Sequence, residues 1–358
     1  MKTRSRASRI AATLFAGLLA ASLASAPSAT ASDYPRGERI NPGALEAGPA
    51  TPLLHLAGRT ITDGDTSVKV TGSPSGTLVG RVGQDYLVMT SDQDSQDPYT
   101  PGWQLRRVTR AGEQTVLAGG PQDQPERGIL AEDGAHVVLE RYRDGSTILR
   151  VLDTATGDLV AKRTVPNASV LAFAQRRMVI SQWENRTVRS RTVWWNPFSG
   201  KTTRIAGKSG YNADVSSDRL GLFTDDPYAG GCQRVVRLSR PSEVIWRSCN
   251  DLALAFSPTG ARMVTTHILM DGPGPFMVQV RGARGRLLDT YRSEWFGAIH
   301  WESDRKLLLQ AAGRKTVAMT RCTLRSCERI SPLRRLGDKE AWEVMPVWQF
   351  ADESLRDL

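Results

Sequence analysis

The sequence predicts an all-β fold of repeated four-stranded antiparallel units. Three observations carry the prediction: a strand pair recurring at a near-constant period, turn glycines with the same spacing, and cysteine pairs that repeat in step. The strand pair is clearest from Leu252 to His267. There Leu-Ala-Leu-Ala-Phe is apolar enough for a strand buried on both faces, and Ser-Pro-Thr-Gly supplies a tight turn before Met263 and Val264 start the return strand. The first large apolar residues after such turns are Leu87, Val137, Met178, Leu220, Met263 and Leu307, at separations of 50, 41, 42, 43 and 44 residues. A polar insertion, Ser91 to Gly102, accounts for the long first interval.

Glycines in strand-ending turns mark the same units independently. Gly112, Gly157, Gly200 and Gly285 are separated by 45, 43 and 85 residues, the last being two periods. Each unit therefore reads as strands A to D with a hairpin turn between C and D. Four-stranded units at periods of about 40–50 residues are what a β-propeller needs, because closing the ring suppresses sheet edges. Phe256-Ser257-Pro258-Thr259-Gly260 resembles the inner turn of WD40-like and TolB-like propeller repeats, and Leu152-Asp153-Thr154-Ala155-Thr156-Gly157 resembles their outer one. The resemblance covers roughly Gly80 to Pro332 and implies the fold, not an activity.

Six units are visible in this way, which leaves six or seven blades. The hairpin from Leu53 to Val70, with its Asp63-Gly64-Asp65 turn, lies outside them. It closes the ring either as outer strands of the last unit or, with Trp342 to Phe350, as a seventh blade. The sixth unit already owns four strands, so seven is favoured.

Upstream of the repeats, residues 1–31 carry Lys2, Arg4, Arg6 and Arg9, an apolar run from Ile10 to Leu23, and Ala29-Thr30-Ala31 before Ser32, the pattern of a signal peptide. Residues 32–52, rich in Pro, Gly and Ala, read as a flexible linker. Residues 53–350 form the propeller and 351–358 a tail. No cysteine precedes Cys232, which argues against a lipid anchor, and the C-terminus shows no apolar anchor. A secreted, extracellular, monomeric protein without a stable membrane span after cleavage is expected.

The formal charge of +10 falls to +6 once the four basic residues of the leader are set aside. The remaining arginines are scattered without a run of five, so nucleic acid is not the expected partner. Four cysteines in an exported chain point to disulfides. Cys232 and Cys249 centre on the Ser239-Arg240-Pro241-Ser242 turn, and Cys322 and Cys327 centre 84 residues later, two periods of 42. Both pairs should face each other across a C–D hairpin, giving Cys232–Cys249 and Cys322–Cys327. No histidine lies near them in sequence, which disfavours zinc.

In this strand order the B–C and D–A connections gather on one face around the channel. Asp-Pro-Tyr occurs in two of the B–C connections, as Asp97-Pro98-Tyr99 ahead of Trp103, and as Asp226-Pro227-Tyr228. Trp183, His267 and Asp271 fall at comparable positions. Carboxylates beside aromatic rings suit a carbohydrate or a cationic peptide. Equally, Asp-Pro starts a turn and Tyr packs on the next blade. Asp92, Asp94 and Asp97 resemble a crude oxygen-rich calcium loop, the only cofactor suggested.

Enzyme readings are narrowed by what is missing. Gly72-Ser-Pro-Ser-Gly76 puts Pro where a hydrolase elbow needs its nucleophile, and no Ser-x-Asp-x-Gly-x-Thr-Trp box occurs. The expected function is a secreted binding or scaffold module for a protein, peptide or cell-envelope glycan, with no catalytic residue assigned. The alternative is an extracellular propeller enzyme, a polysaccharide hydrolase or lyase or a lactonase-like protein, using acidic residues at the channel mouth. Two or more carboxylates converging there within about 5–10 Å would favour the enzyme, and arginines with aromatics the binding module.

Overall fold

A computed structural model describes residues 37–71, 76–91, 102–121, 126–184, 189–270, 274–324, 326–337 and 348–350. These form seven antiparallel sheets arranged as the blades of a propeller. Blades I to VI follow in chain order, spanning 76–121, 127–166, 168–206, 210–248, 251–292 and 295–329. Blade VII is assembled from both ends of the chain: Trp348–Phe350 is its innermost strand A, and His55–Ala57, Thr60–Asp63 and Thr66–Lys69 are strands B, C and D. The seven-bladed count and the pairing of the early hairpin with the C-terminal strand are thus as the sequence indicates.

The turns form for the reasons their residues suggest. In blade V the Ser257 Oγ accepts from Arg262 N at 3.0 Å, and Gly260 takes a φ of 67° that a residue with a Cβ adopts only with strain. In blades II and III the C–D turns are capped by side chains. Asp153 Oδ1 accepts from Ala155 N and Thr156 N at 2.8 and 3.0 Å, and Asn196 Oδ1 from Phe198 N and Ser199 N at 2.9 and 3.1 Å. Both disulfides join strands C and D as expected, Cys232–Cys249 in blade IV and Cys322–Cys327 in blade VI.

The core lies between blades, where large side chains of adjoining sheets interdigitate. One cluster joins Leu149, Val151 and Val165 of blade II to Phe173, Ile180 and Trp195 of blade III. Another joins Leu254 and Val278 of blade V to Phe296, Trp301 and Leu307 of blade VI. Each buried Leu or Ile in such a cluster contributes about 1.5–3 kcal/mol.

A polar device recurs beside this apolar packing. Strand A is bulged against strand B in blades I, III, IV, V and VI. A bulge leaves ladder groups without a main-chain partner. In three of these blades an acceptor side chain of the preceding blade supplies one: Gln349 Oε1 for Leu78 N at 3.1 Å, Glu140 Oε2 for Val170 N at 3.0 Å, and Gln233 Oε1 for Ala253 N at 3.0 Å. Blades are therefore registered by hydrogen bonds as well as by packing.

Residues 37–50 run along the outer edges of two blades. Glu38–Arg39 pairs in parallel with strand D of blade V, and Gly48 N and Arg329 N exchange bonds with Arg329 O and Glu46 O on blade VI. This stretch without periodicity buries Ile40 in the cluster between blades V and VI, and its main chain completes exposed strand edges.

Candidate ligand-binding rim

An aromatic residue stands at or beside the B–C turn of each of four successive blades. In blade II the turn is Asp144-Gly145, with φ of 51° and 76°, the geometry of a tight two-residue hairpin turn. It follows Tyr142, which is 63% exposed. Blade III ends strand B at Gln182, and the next residue, Trp183, is half-buried. Its main chain is fixed to the preceding blade connection by Trp183 N to Asn167 O at 2.9 Å and Asn167 Nδ2 to Trp183 O at 3.1 Å.

Blade IV builds its turn from Asp-Pro-Tyr. Asp226 caps a short 3-10 turn at Pro227–Ala229 by accepting from Tyr228 N at 2.9 Å, and Gly230 ends it with a φ of 85°. Asp226 therefore has the turn-starting role. Tyr228, in contrast, does not pack on the next blade: it is 71% exposed, the most exposed large hydrophobic side chain described. In blade V, Phe276 is 68% exposed and Leu269 41%. His267 Nδ1 accepts from Leu269 N at 3.1 Å, which makes this imidazole a turn support.

The expected site residues thus separate. Trp183, Tyr228, Asp226 and His267 lie at B–C connections, the last two as turn supports. Trp103 is corrected: it opens strand C of blade I, is 5% exposed, and packs in the cluster between blades I and II beneath the Arg150 guanidinium at 5.8 Å. A Cβ on its cross-strand neighbour Gly120 would sit 2.9 Å from the Trp103 Nε1, so the glycine makes room for the indole. Asp92, Asp94, Asp97, Tyr99 and Asp271 lie outside the described residues. Tyr142 and Phe276 were not among the expected site residues. Tyr142 continues an apolar-polar alternation that reads as strand, and Phe276 follows a Gly-Pro run that gives no side-chain direction.

Three acidic groups near the same end of the blades are ion-paired. Glu140 Oε2 accepts from Arg127 Nη2 at 3.1 Å as well as from the Val170 amide, and Glu126 Oε2 accepts from Arg150 Nη2 at 2.8 Å. Asp251, which begins strand A of blade V, meets Arg281 Nη2 at 3.1 Å. The arrangement suits recognition: rings that present apolar faces, with hydrogen-bonding turns between them.

No family model matches the chain, and no curated protein matches it. Solved structures are similar to it in fold. The β-propeller domain of the trilobed protease from Pyrococcus furiosus, described as having an open velcro topology, is 9% identical, with 76% of this chain and 86% of that one covered and a TM-score of 0.55. The acylaminoacyl peptidase of Pyrococcus horikoshii is 10% identical over 76% of this chain, with a TM-score of 0.55, and this chain spans 47% of that one. TolB from Acinetobacter baumannii is 12% identical, covering 68% of this chain and 61% of that one, with a TM-score of 0.41. At such identities the likeness to the two Pyrococcus proteins shows the fold alone, and that fold is the one reached from the repeats: an all-β, seven-bladed propeller of four-stranded antiparallel blades.

Proposed function

We propose that this chain is a secreted binding module whose B–C rim over blades II to V engages a protein, peptide or cell-envelope glycan. The observation that carries the reading is the succession of Tyr142, Trp183, Tyr228 and Phe276 on adjoining turns of one face, three of them more than 60% exposed. Exposed rings grouped on one face, outside any core, mark interaction sites. Stacking on a sugar or peptide uses their apolar faces at little conformational cost. Export is supported by the basic and apolar leader at residues 1–31 and by two disulfides, which persist in oxidising compartments. Among the described residues no helix is long and apolar enough to cross a membrane.

The test is a glycan array and a peptide library probed with the wild-type chain and with a Tyr142→Ala, Tyr228→Ala, Phe276→Ala variant. The expected result is a restricted set of hits for the wild type that the variant loses by at least tenfold, with folding unchanged because the side chains are exposed. Hits that survive the triple replacement would overturn the reading.

A further inference from the structure

A second site lies away from the rim, between the outer strands of blades II and III. Strand C of blade III, Arg191–Trp195, buries Val193 and Trp195 against blade II. Strand alternation puts Arg191 on that same side. The cross-strand partners of Trp195 and Val193 are Thr202 and Arg204, so these too face blade II. From the other side, Val165 and Ala161 in the last strand of blade II pack into this cluster, and Arg163 lies between them on the same face. Arg163, Arg191 and Arg204 therefore start from the two facing sides of the cleft between blades II and III, the Arg204 guanidinium lying beside Gly207.

Their partners differ from those of the ion-paired arginines elsewhere in the propeller. Arg127, Arg150, Arg281 and Arg321 each meet a carboxylate. Arg163 instead donates to Thr202 Oγ1 at 2.9 Å and lies over the Trp195 ring at 5.2 Å. Arg191 donates to the Gln182 amide oxygen at 2.5 Å. Among the described residues no carboxylate pairs with Arg163, Arg191 or Arg204. Burial, and then the charge of Arg191, lower the pKa of Arg163, as expected for like charges confined together without a counter-ion.

We propose that this cleft binds a phosphate-type oxyanion, free or carried on a phosphodiester polymer. Planar guanidinium forks match the tetrahedral oxygens of phosphate, and an anion between them replaces repulsion by charge-assisted hydrogen bonds. Thr202 accepts from Arg163 and so retains its own O–H to donate. Trp195 fixes the Arg163 plane and shields it from water on one side.

Isothermal titration of the full chain with pyrophosphate at constant ionic strength tests the proposal. Saturable one-site binding is expected, at least tenfold weaker in an Arg163→Gln, Arg191→Gln variant. It should be unchanged in an Arg176→Gln, Arg177→Gln variant, which removes the same charge elsewhere on blade III. Arg163→Lys, keeping the charge without the fork, should fall between. Competition by poly(glycerol phosphate) would identify a polymer-borne group as able to enter, and absence of competition a free anion. If the double variant does not fold, the exposed single change Arg191→Gln gives the same reading. No saturable binding by the wild type, or equal losses in the two double variants, would overturn it.

Discussion

The His300 ring lies flat on Phe350, with centroids 4.5 Å apart and planes 8° apart, and His55 stacks on Trp348 at 4.0 Å. Two imidazoles, one from strand A of blade VI and one from blade VII, thus hold both aromatic rings of the strand that closes the propeller. Burial lowers the His300 pKa to about 4. It also lowers that of His55, partly opposed by the bond from its ring nitrogen to Leu53 O.

Acid should therefore weaken ring closure. Because the folded-state pKa of His300 lies below its ordinary value of 6.5, the unfolded chain binds the proton more readily. The stability contribution is complete above 6.5 and is lost as pH falls from there to about 4, amounting to about 3 kcal/mol. A His300→Phe variant keeps the stacking and removes the titration. Urea midpoints at pH 7 and pH 4.5 should lie closer together for the variant than for the wild type, and an equal separation would refute the assignment.

Arg321 should be the costliest single charge to remove. Its side chain is 5% exposed, donates to both Glu302 oxygens and to Glu328 Oε1 at 2.7 Å each, and reaches Pro49 O at 2.9 Å. Burial works against the charged form of Glu302, but hydrogen bonds from Arg321 and Thr51 outweigh it and hold this carboxyl below its ordinary value. Arg321→Ala leaves the buried carboxylate with only the exposed Lys306 ammonium at 3.8 Å, at about 3–5 kcal/mol. Chemical denaturation measures the loss, and a value under about 1 kcal/mol would mean that water replaces the guanidinium.

The two disulfides should differ in worth. Cys232–Cys249 closes a sequence separation of 17 and Cys322–Cys327 one of 5. Loop-closure entropy gives about 3 kcal/mol for the first and about 2 kcal/mol for the second. Paired Cys→Ser variants compared by guanidinium denaturation should follow that order. The reverse order would show that native packing around the sulfurs, not the constrained unfolded chain, sets the effect.

Glu140 should behave as a joint between blades. It serves the Val170 amide of blade III and Arg127 of its own blade at once. Glu140→Ala strands a shielded amide and takes the counter-charge from Arg127, which keeps only Ser169 Oγ and Val170 O as acceptors, so about 2–4 kcal/mol of stability should go. Glu140→Gln, still able to accept from the amide, should recover more than half of it by the same denaturation measurement.

Much of the fold was legible because it is written locally. A Ser-Pro-Thr-Gly turn or an Asp-Thr-Ala-Thr-Gly turn forms from its own residues, and alternating apolar strands between such turns fix the four-strand unit and its period. The cysteines were readable for the same reason, since each pair brackets one hairpin. The rim was readable only in part: Asp226 and Tyr228 announce a turn, but whether a ring at its tip points outward depends on the neighbouring blade.

By itself, then, the sequence determined the repeat, the strand order within a blade, the sulfur pairing and the place where seven sheets could meet. Tertiary structure decided what no local pattern encodes: that Trp103 is a packing residue behind Gly120, that Tyr142 and Phe276 stand clear of the core, and that Gln349 and Glu140 reach bulged amides of the next blade. It alone gathered Arg163 with Arg191 and Arg204. The physical reason is that exposure and charge pairing belong to the gap between two sheets, and the side chains on its two sides come from different repeat units, so no local pattern pairs them.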